Sequence, residues 1–263
     1  MDLDDAYDNA GHIAGSDDYP PRWAAEAEAF RQQMGVIGRA RLGLMYGHGT
    51  RAAFDLFLPD LTPKGLLIFV HGGYWRRFDR SLWSHFATGA LGHEWAVAMP
   101  SYDLVPRVRI SHITQQVAQA IGVIAQEVTG PIRLVGHSAG GHLVARMLAP
   151  EMLPADVAGR IEHAMAISAV SDLRPLCDLA MNADFRLDAA EAHAESPIFQ
   201  PRPEVPVTVW VGAEERPVFL DQSRWLAEAW RAGHIIDEGK HHFDVIDGLL
   251  DPDSAMVRRL LTL

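Results

Sequence analysis

Short apolar runs recur along the chain with amphipathic stretches between them, and this alternation constrains the fold more than any other feature. The runs lie at residues 66–70, 95–99, 132–135, 161–167, 207–211 and 234–237. Each is too short for a helix and reads as a buried strand. Helical spacing of apolar residues fills 81–92, 111–128, 139–149 and 217–232. Strands that alternate with helices in this way build a mostly parallel sheet covered on both faces. Two more strands are expected at 40–46 and 52–58, joined through Gly47-His48-Gly49 as a hairpin turn. Trp23, Ala27, Phe30 and Met34 mark an N-terminal helix over 22–34, outside the alternation. The expected architecture is therefore α/β, a mostly parallel eight-stranded sheet with helices on both faces.

Composition fits one large core. With 263 residues, 48% of them hydrophobic, the chain exceeds the rough scale of about 150 residues per domain, yet α/β folds of this size commonly form one unit. A single domain over 1–263 is expected, with 1–38 as a helical extension. The segment 170–205 holds Pro175, Pro197, Pro201 and Pro203 and is expected to form a small cap or a site-shaping excursion. The net charge of −11, with no Lys/Arg run, disfavours nucleic acid and anionic membrane surfaces as partners. Cys177 is the single cysteine, which permits no internal disulfide and argues against a structural zinc site built on thiolates. No histidine spacing suggests a metal, so neither metal nor cofactor is expected. The acidic opening Met1-Asp2-Leu3-Asp4-Asp5 is unlike a signal peptide, and the strongest apolar run, Gly65–Val70, is far short of the roughly 20 residues that cross a bilayer. A cytoplasmic enzyme is expected, with a homodimer left open.

Gly136-His137-Ser138-Ala139-Gly140 is a G-x-S-x-G. Alone it is a weak signal, but it follows a buried strand and opens a helical pattern carrying Leu143, Val144, Met147 and Leu148 on one face. That is the strand-turn-helix setting that holds a serine on a tight, strained turn. A Cβ at either flanking glycine would collide with neighbouring backbone. The helix N-terminus behind the serine favours negative charge developing on an acyl group. The bland alternative, a glycine-rich turn with a capping serine, lacks a reason for the partners found downstream.

A serine needs a base to remove its proton and an acid to orient that base. In this topology the acid follows the seventh strand and the histidine the eighth. Val211-Gly212-Ala213-Glu214-Glu215 and Lys240-His241-His242-Phe243 occupy those places. Glu215 is preferred over Glu214 because its spacing puts the carboxylate out on the loop. His242 is preferred over His241 because it adjoins the apolar Phe243. His137 is read as a packed neighbour within the elbow, and His12, His48 and His93 as surface residues. His71-Gly72-Gly73-Tyr74-Trp75 directly follows the third strand, the place of an oxyanion loop. The expected donors are the amides of Gly72, Gly73, Tyr74 and Ala139.

HGGYW at 71–75 together with GHSAGG at 136–141 resembles the kynurenine formamidase (arylformamidase) branch of the α/β-hydrolase superfamily, adjacent to the hormone-sensitive-lipase-like esterases. The stretch from Pro100 through Tyr102 and Leu104 to Pro106 resembles a further segment of that family. So do Ser171-Asp172-Leu173-Arg174-Pro175-Leu176, Met181-Asn182, and Pro217 with Phe219, Gln222 and Ser223. The likeness runs from about Tyr19 to Leu250. It implies an α/β-hydrolase fold with Ser138 as nucleophile, His242 as base and Glu215 as acid, where the family often has aspartate. It also implies hydrolysis of N-formyl-L-kynurenine to kynurenine and formate. Tyr74 and Trp75 would then wall an aromatic pocket, with plain core as the alternative for either, and Arg76 or Arg77 would meet the substrate carboxylate, with a solvated surface charge as the alternative. The rivals are a carboxylesterase acting on short acyl esters with the same triad, and a non-catalytic binding protein on a hydrolase scaffold.

Overall fold

In the computed structural model, which describes residues 2–263, one sheet holds all eight strands. They are β1 (Ala40–Met45), β2 (Ala53–Phe57), β3 (Gly65–Val70), β4 (Trp95–Pro100), β5 (Ile132–His137), β6 (Ile161–Ile167), β7 (Val207–Gly212) and β8 (Gly233–Asp237). Their order across the sheet is β1-β2-β4-β3-β5-β6-β7-β8. The β1–β2 and β2–β4 pairs are antiparallel, and every pair from β4 onward is parallel. The loops that follow β3, β5, β6, β7 and β8 therefore all emerge at one edge of the sheet, where ligands of open α/β sheets bind.

Strand periodicity explains why the runs read as uniformly apolar. On β3, Leu66, Ile68 and Val70 join the core on one face while Leu67 and Phe69 join the core on the other. Along β4, Ala96 and Ala98 alternate in the same way with Trp95, Val97 and Met99. Both faces are covered. Helix α1 (Tyr19–Val36) covers the second face through Trp23 and Met34. Helix α2 (Ile110–Ile124) buries Ile110, Ile113, Val117, Ala120, Ile121 and Ile124 on the first face, the i, i+3, i+4, i+7 stripe of an amphipathic helix. Each such isoleucine contributes on the order of 1.5–3 kcal/mol by leaving water, so an aspartate at Ile121 would break the packing. Beside α2 lies α3 (Ala139–Arg146), and α4 (Pro217–Trp230) packs on β7. No helix among the described residues is long and apolar enough to cross a membrane.

Some elements differ from expectation. The stretch 81–92 is two 3-10 turns, Arg80–Leu82 and Ser84–Ala87, then one α turn, Thr88–Leu91. Gly89 and Gly92 are poor helix formers, and Gly89 is needed because a Cβ there would lie 2.4 Å from the Leu249 carbonyl oxygen. A C-terminal helix, α5 (Ala255–Leu261), was not expected. Ser254 caps it by accepting from the Val257 amide at 3.0 Å, and Met256, Val257, Leu260 and Leu261 pack onto the face already held by α1. The segment 170–205 contains the short turns Arg174–Asp178, Asn182–Phe185, Ala189–Glu195 and Pro197–Phe199. Ahead of α1, residues 3–18 hold three short helical pieces, Leu3–Ala6, Ala10–His12 and Ser16–Asp18.

Candidate active site

Ser138 leaves β5 with φ 56° and ψ −118°, a conformation that costs a non-glycine residue about 1–3 kcal/mol. The surroundings hold it there. Its amide donates to the Ile167 carbonyl at 2.8 Å, and α3 begins at the next residue. The turn is possible only because its flanks lack side chains. A Cβ on Gly136 would stand 2.2 Å from the Gly140 oxygen, and one on Gly140 would stand 1.9 Å from the Val70 oxygen.

His242 brings Nε2 to 3.1 Å from the Ser138 Oγ and Nδ1 to 2.6 Å from Glu215 Oε2. The other Glu215 oxygen accepts from the Gly212 amide at 2.9 Å and from the Ser168 hydroxyl. All three side chains are buried, at 3%, 4% and 6% exposure for Ser138, His242 and Glu215. Glu214 points to solvent, and His241 instead meets the Tyr19 hydroxyl at 3.1 Å and Asp244. The acid and histidine loops are zipped together by the Ala213 amide on the Asp237 carbonyl and the Glu214 amide on the Lys240 carbonyl, both at 2.9 Å.

Two supporting residues have roles that spacing alone did not suggest. Ser168, at the end of β6 with φ 50°, is fixed by its amide on the Trp210 carbonyl at 2.7 Å. No motif marks it; the only sequence cue is a serine where a parallel strand ends beside the acid's own strand. His137 is the packed neighbour expected, but it also donates from Nε2 to the His242 carbonyl at 2.8 Å. Burial, and next the nearby His242, hold the His137 pKa well below its ordinary value. It is therefore a neutral ring with a fixed tautomer that clamps the backbone of the histidine loop.

The glycine loop after β3 passes directly over the serine. A Cβ on Gly72 would lie 2.8 Å from the His137 oxygen and 3.1 Å from the Ser138 Cβ, so only glycine fits. Among the described residues, the amides of Gly72, Gly73, Tyr74 and Ala139 donate to no carbonyl or side chain. His71 donates from Nδ1 to the Gly72 carbonyl at 2.8 Å and stacks on Tyr102 at 4.3 Å. Burial lowers the His71 pKa to about 4, so this support is neutral near pH 7. Together these groups offer a serine with an oriented base beside unpaired amides, the arrangement that acyl transfer requires.

Ser138 and His242 open on a cavity of about 270 Å³ whose aromatic wall includes Tyr7, Trp23, Tyr74, Phe78, Trp83 and Phe243. Arg76 and Arg77 also reach it. Arg76 is paired with Asp184 at 2.7 Å, whereas Arg77 has no carboxylate within ion-pair distance among the described residues. One expectation is corrected here. Trp75 does not wall the pocket: it is fully buried in the core, edge-on to His142 at 5.1 Å and to Phe185 at 5.7 Å. Tyr74 and Trp75 both have left-handed backbone, φ 51° and 56°, and this tight turn sends Tyr74 to the cavity and Trp75 beneath α3.

Residues 67–258 match the alpha/beta hydrolase family. The chain belongs to that family. Within it, the kynurenine formamidase of Drosophila melanogaster is 30% identical over 238 residues, spanning 82% of this chain and 79% of the relative. A crystal structure from Silicibacter sp. TM1040, described as a candidate thioesterase, is 58% identical and superposes with a TM-score of 0.97 over 100% of both chains. An esterase of Pyrobaculum calidifontis, 17% identical over 92% of this chain and 90% of its own, superposes with a TM-score of 0.71 and speaks to the fold alone. This alpha/beta hydrolase thus carries its hydrogen-bonded serine, histidine and glutamate on the loops where the fold places its reacting groups.

Proposed function

We propose that this alpha/beta hydrolase is an arylformamidase, with N-formyl-L-kynurenine as the leading substrate and kynurenine and formate as products. The observation that carries the reading is the Ser138–His242–Glu215 chain opening on an aromatic-walled cavity. His242 Nε2 takes the Ser138 proton as Oγ attacks the formyl carbon, while Glu215 holds Nδ1–H and steadies the imidazolium. The amides of Gly72, Gly73, Tyr74 and Ala139 receive the negative oxygen of the tetrahedral intermediate. His242 then passes its proton to the leaving aryl nitrogen, which departs as the amine. Water, deprotonated by the same nitrogen of His242, attacks the formyl-serine; the bond to Ser138 Oγ breaks, His242 returns the proton to that oxygen, and formate leaves. The free guanidinium of Arg77 on the cavity wall suits an amino-acid carboxylate, since Arg76 is already engaged by Asp184.

A second reading, a hydrolase of short esters or thioesters, draws support from the Silicibacter structure described as a candidate thioesterase. The same triad serves both reactions, so pocket chemistry decides between them. Steady-state kinetics on N-formyl-L-kynurenine, p-nitrophenyl acetate and a short acyl thioester separate them. The formamidase reading expects the largest kcat/KM for the formamide; negligible formamide turnover beside rapid ester or thioester hydrolysis defeats it.

A further inference from the structure

Asn9 is 5% exposed, and neither its Oδ1 nor its Nδ2 has a hydrogen-bond partner among the described residues. A buried carboxamide without partners is costly, and its presence calls for an explanation. A local structural use is absent: Asn9 precedes the 3-10 turn Ala10–His12, but its side chain makes no capping bond there. Its place in the fold supplies a reason. Asn9 lies on the wall of the cavity that holds Ser138 and His242, together with Trp23 and Trp83, whose buried indole N–H groups are also unpartnered.

The segment that carries Asn9 is firmly anchored two residues upstream. The Tyr7 carbonyl accepts from the Tyr74 hydroxyl at 2.7 Å, and Gln222 donates to the Tyr7 hydroxyl at 3.0 Å. Gln222 is itself fully buried, accepting from the amides of Ser171 and Asp172. Nearby, the Asp4 carboxylate accepts from the Ala180 amide at 2.8 Å and Asp5 pairs with Arg216 at 2.7 Å, one residue beyond Glu215. A fixed segment holds an unsatisfied amide on the wall of the cavity that also contains Ser138 and His242, which is the description of a recognition element.

We propose that Asn9 is a specificity-determining residue whose amide hydrogen-bonds a carbonyl carried on the aromatic ring of the leaving amine. The preferred substrate class is thus an N-acyl arylamine with a ring carbonyl rather than a bare anilide. This rests on the arylformamidase reading for the identity of the leaving group. In this arrangement the Asn9 amide donates to the ring carbonyl, and Trp23 and Trp83 supply aromatic surface on the same wall. A substrate without the carbonyl leaves Asn9 unpaired and loses the corresponding affinity.

The test compares 2′-formamidoacetophenone with formanilide, which share the scissile bond and differ in the ring ketone. In the parent enzyme kcat/KM is expected to favour the ketone, and in Asn9→Leu the ratio is expected to fall about tenfold. Asn9→Asp, which keeps the size but loses both amide donors, is expected to lower the ratio likewise and replaces the leucine variant if that one fails to fold. A ratio that stays at the parent value in the folded variants overturns the proposal. If the parent hydrolyses neither formamide, the formamidase reading fails separately. Asn9 is then judged by binding of 2′-aminoacetophenone and aniline to the Ser138→Ala protein, followed by quenching of tryptophan fluorescence. A preference for the ketone that disappears on adding Asn9→Leu or Asn9→Asp supports the proposal, and equal binding of the two amines overturns it.

Discussion

Ser138, Glu215 and His242 sit on loops that leave the C-terminal ends of β5, β7 and β8, whereas Tyr7 and Asn9 sit in a segment with no strand of its own. The first group is fixed by sheet geometry. Parallel neighbours set where each loop starts, and backbone bonds such as Ser138 to Ile167 and Ser168 to Trp210 carry that order past the strand ends. The second group is fixed by side chains, chiefly Tyr74, Gln222 and Arg216 reaching the segment from elements distant in sequence. The contrast sets up the proposed division: the strand ends hold the serine, histidine and glutamate of the proposed reaction, and the N-terminal segment, which lines the same cavity, serves selectivity.

If that division is right, changes at the strand ends reduce the chemical step and changes in the segment reduce discrimination. The largest effect is expected at Ser138. Ser138→Ala removes the attacking atom, and kcat is expected to fall about 10⁴- to 10⁶-fold, with the folded state retained. Stopped-flow or long-endpoint assays on the best substrate check this; activity within tenfold of the parent would remove the serine from the chemistry.

The next effect concerns the scaffold beneath the reacting groups. His71 and His142 are fully buried, and burial lowers the pKa of each from 6.5 to about 4. Their folded values lie below the unfolded value, so folding favours the neutral ring. The stability they contribute is complete above about pH 6.5 and is lost as pH falls toward 4. Each is worth on the order of 3 kcal/mol over that window. Thermal melts between pH 7 and 4 are expected to show a steep fall in Tm, less steep in His142→Gln. A flat profile would mean that these rings take up a proton without opening the strand-end half of the site.

Much of that half was legible in the sequence because its constraints are local. A strand, two glycines and a serine in five residues admit few geometries, and Gly72 beside Ser138 follows from the same crowding. The places of Glu215 and His242 were readable because chain order fixes where a carboxylate and an imidazole can meet the serine. Ser168 was not readable: its hydroxyl meets Glu215 only because β6 and β7 are neighbours, a fact of sheet order rather than of spacing. The N-terminal wall was invisible for a related reason. Residues 2–18 have no apolar period, and Asn9 is held at the cavity by contacts that Asp4, Asp5 and Tyr7 make with Ala180, Arg216, Tyr74 and Gln222, all distant in sequence. Trp75 was misjudged because adjacency to Tyr74 suggested a shared role, while two consecutive left-handed residues send the side chains apart.

A smaller effect tests the part of the strand-end group that spacing did not reveal. Ser168→Ala deletes a donor to buried Glu215 while leaving the Gly212 amide in place. Hydrogen bonds to charged groups contribute about 1.5–3 kcal/mol, so kcat is expected to fall roughly 10- to 100-fold with KM little changed. An altered pH–rate profile should accompany the loss, because the carboxylate that steadies His242 loses one of its bonds. A rise in KM at constant kcat would instead assign Ser168 to the pocket and blur the division.

The smallest effect falls on a bond that joins the oxyanion loop to the N-terminal segment. Tyr74 lies on the oxyanion loop, and its hydroxyl donates to the Tyr7 carbonyl at 2.7 Å. Tyr74→Phe keeps the ring on the cavity wall and removes only that bond, worth about 1 kcal/mol, or roughly fivefold. If the segment serves selectivity alone, the loss appears as a higher KM for aromatic substrates, with kcat for a small ester such as p-nitrophenyl acetate near the parent value. If the segment also braces the amides of Gly73 and Tyr74, kcat falls for both substrates alike, and the division between reaction and selectivity must be redrawn to include residues 2–18 among the supports of the oxyanion.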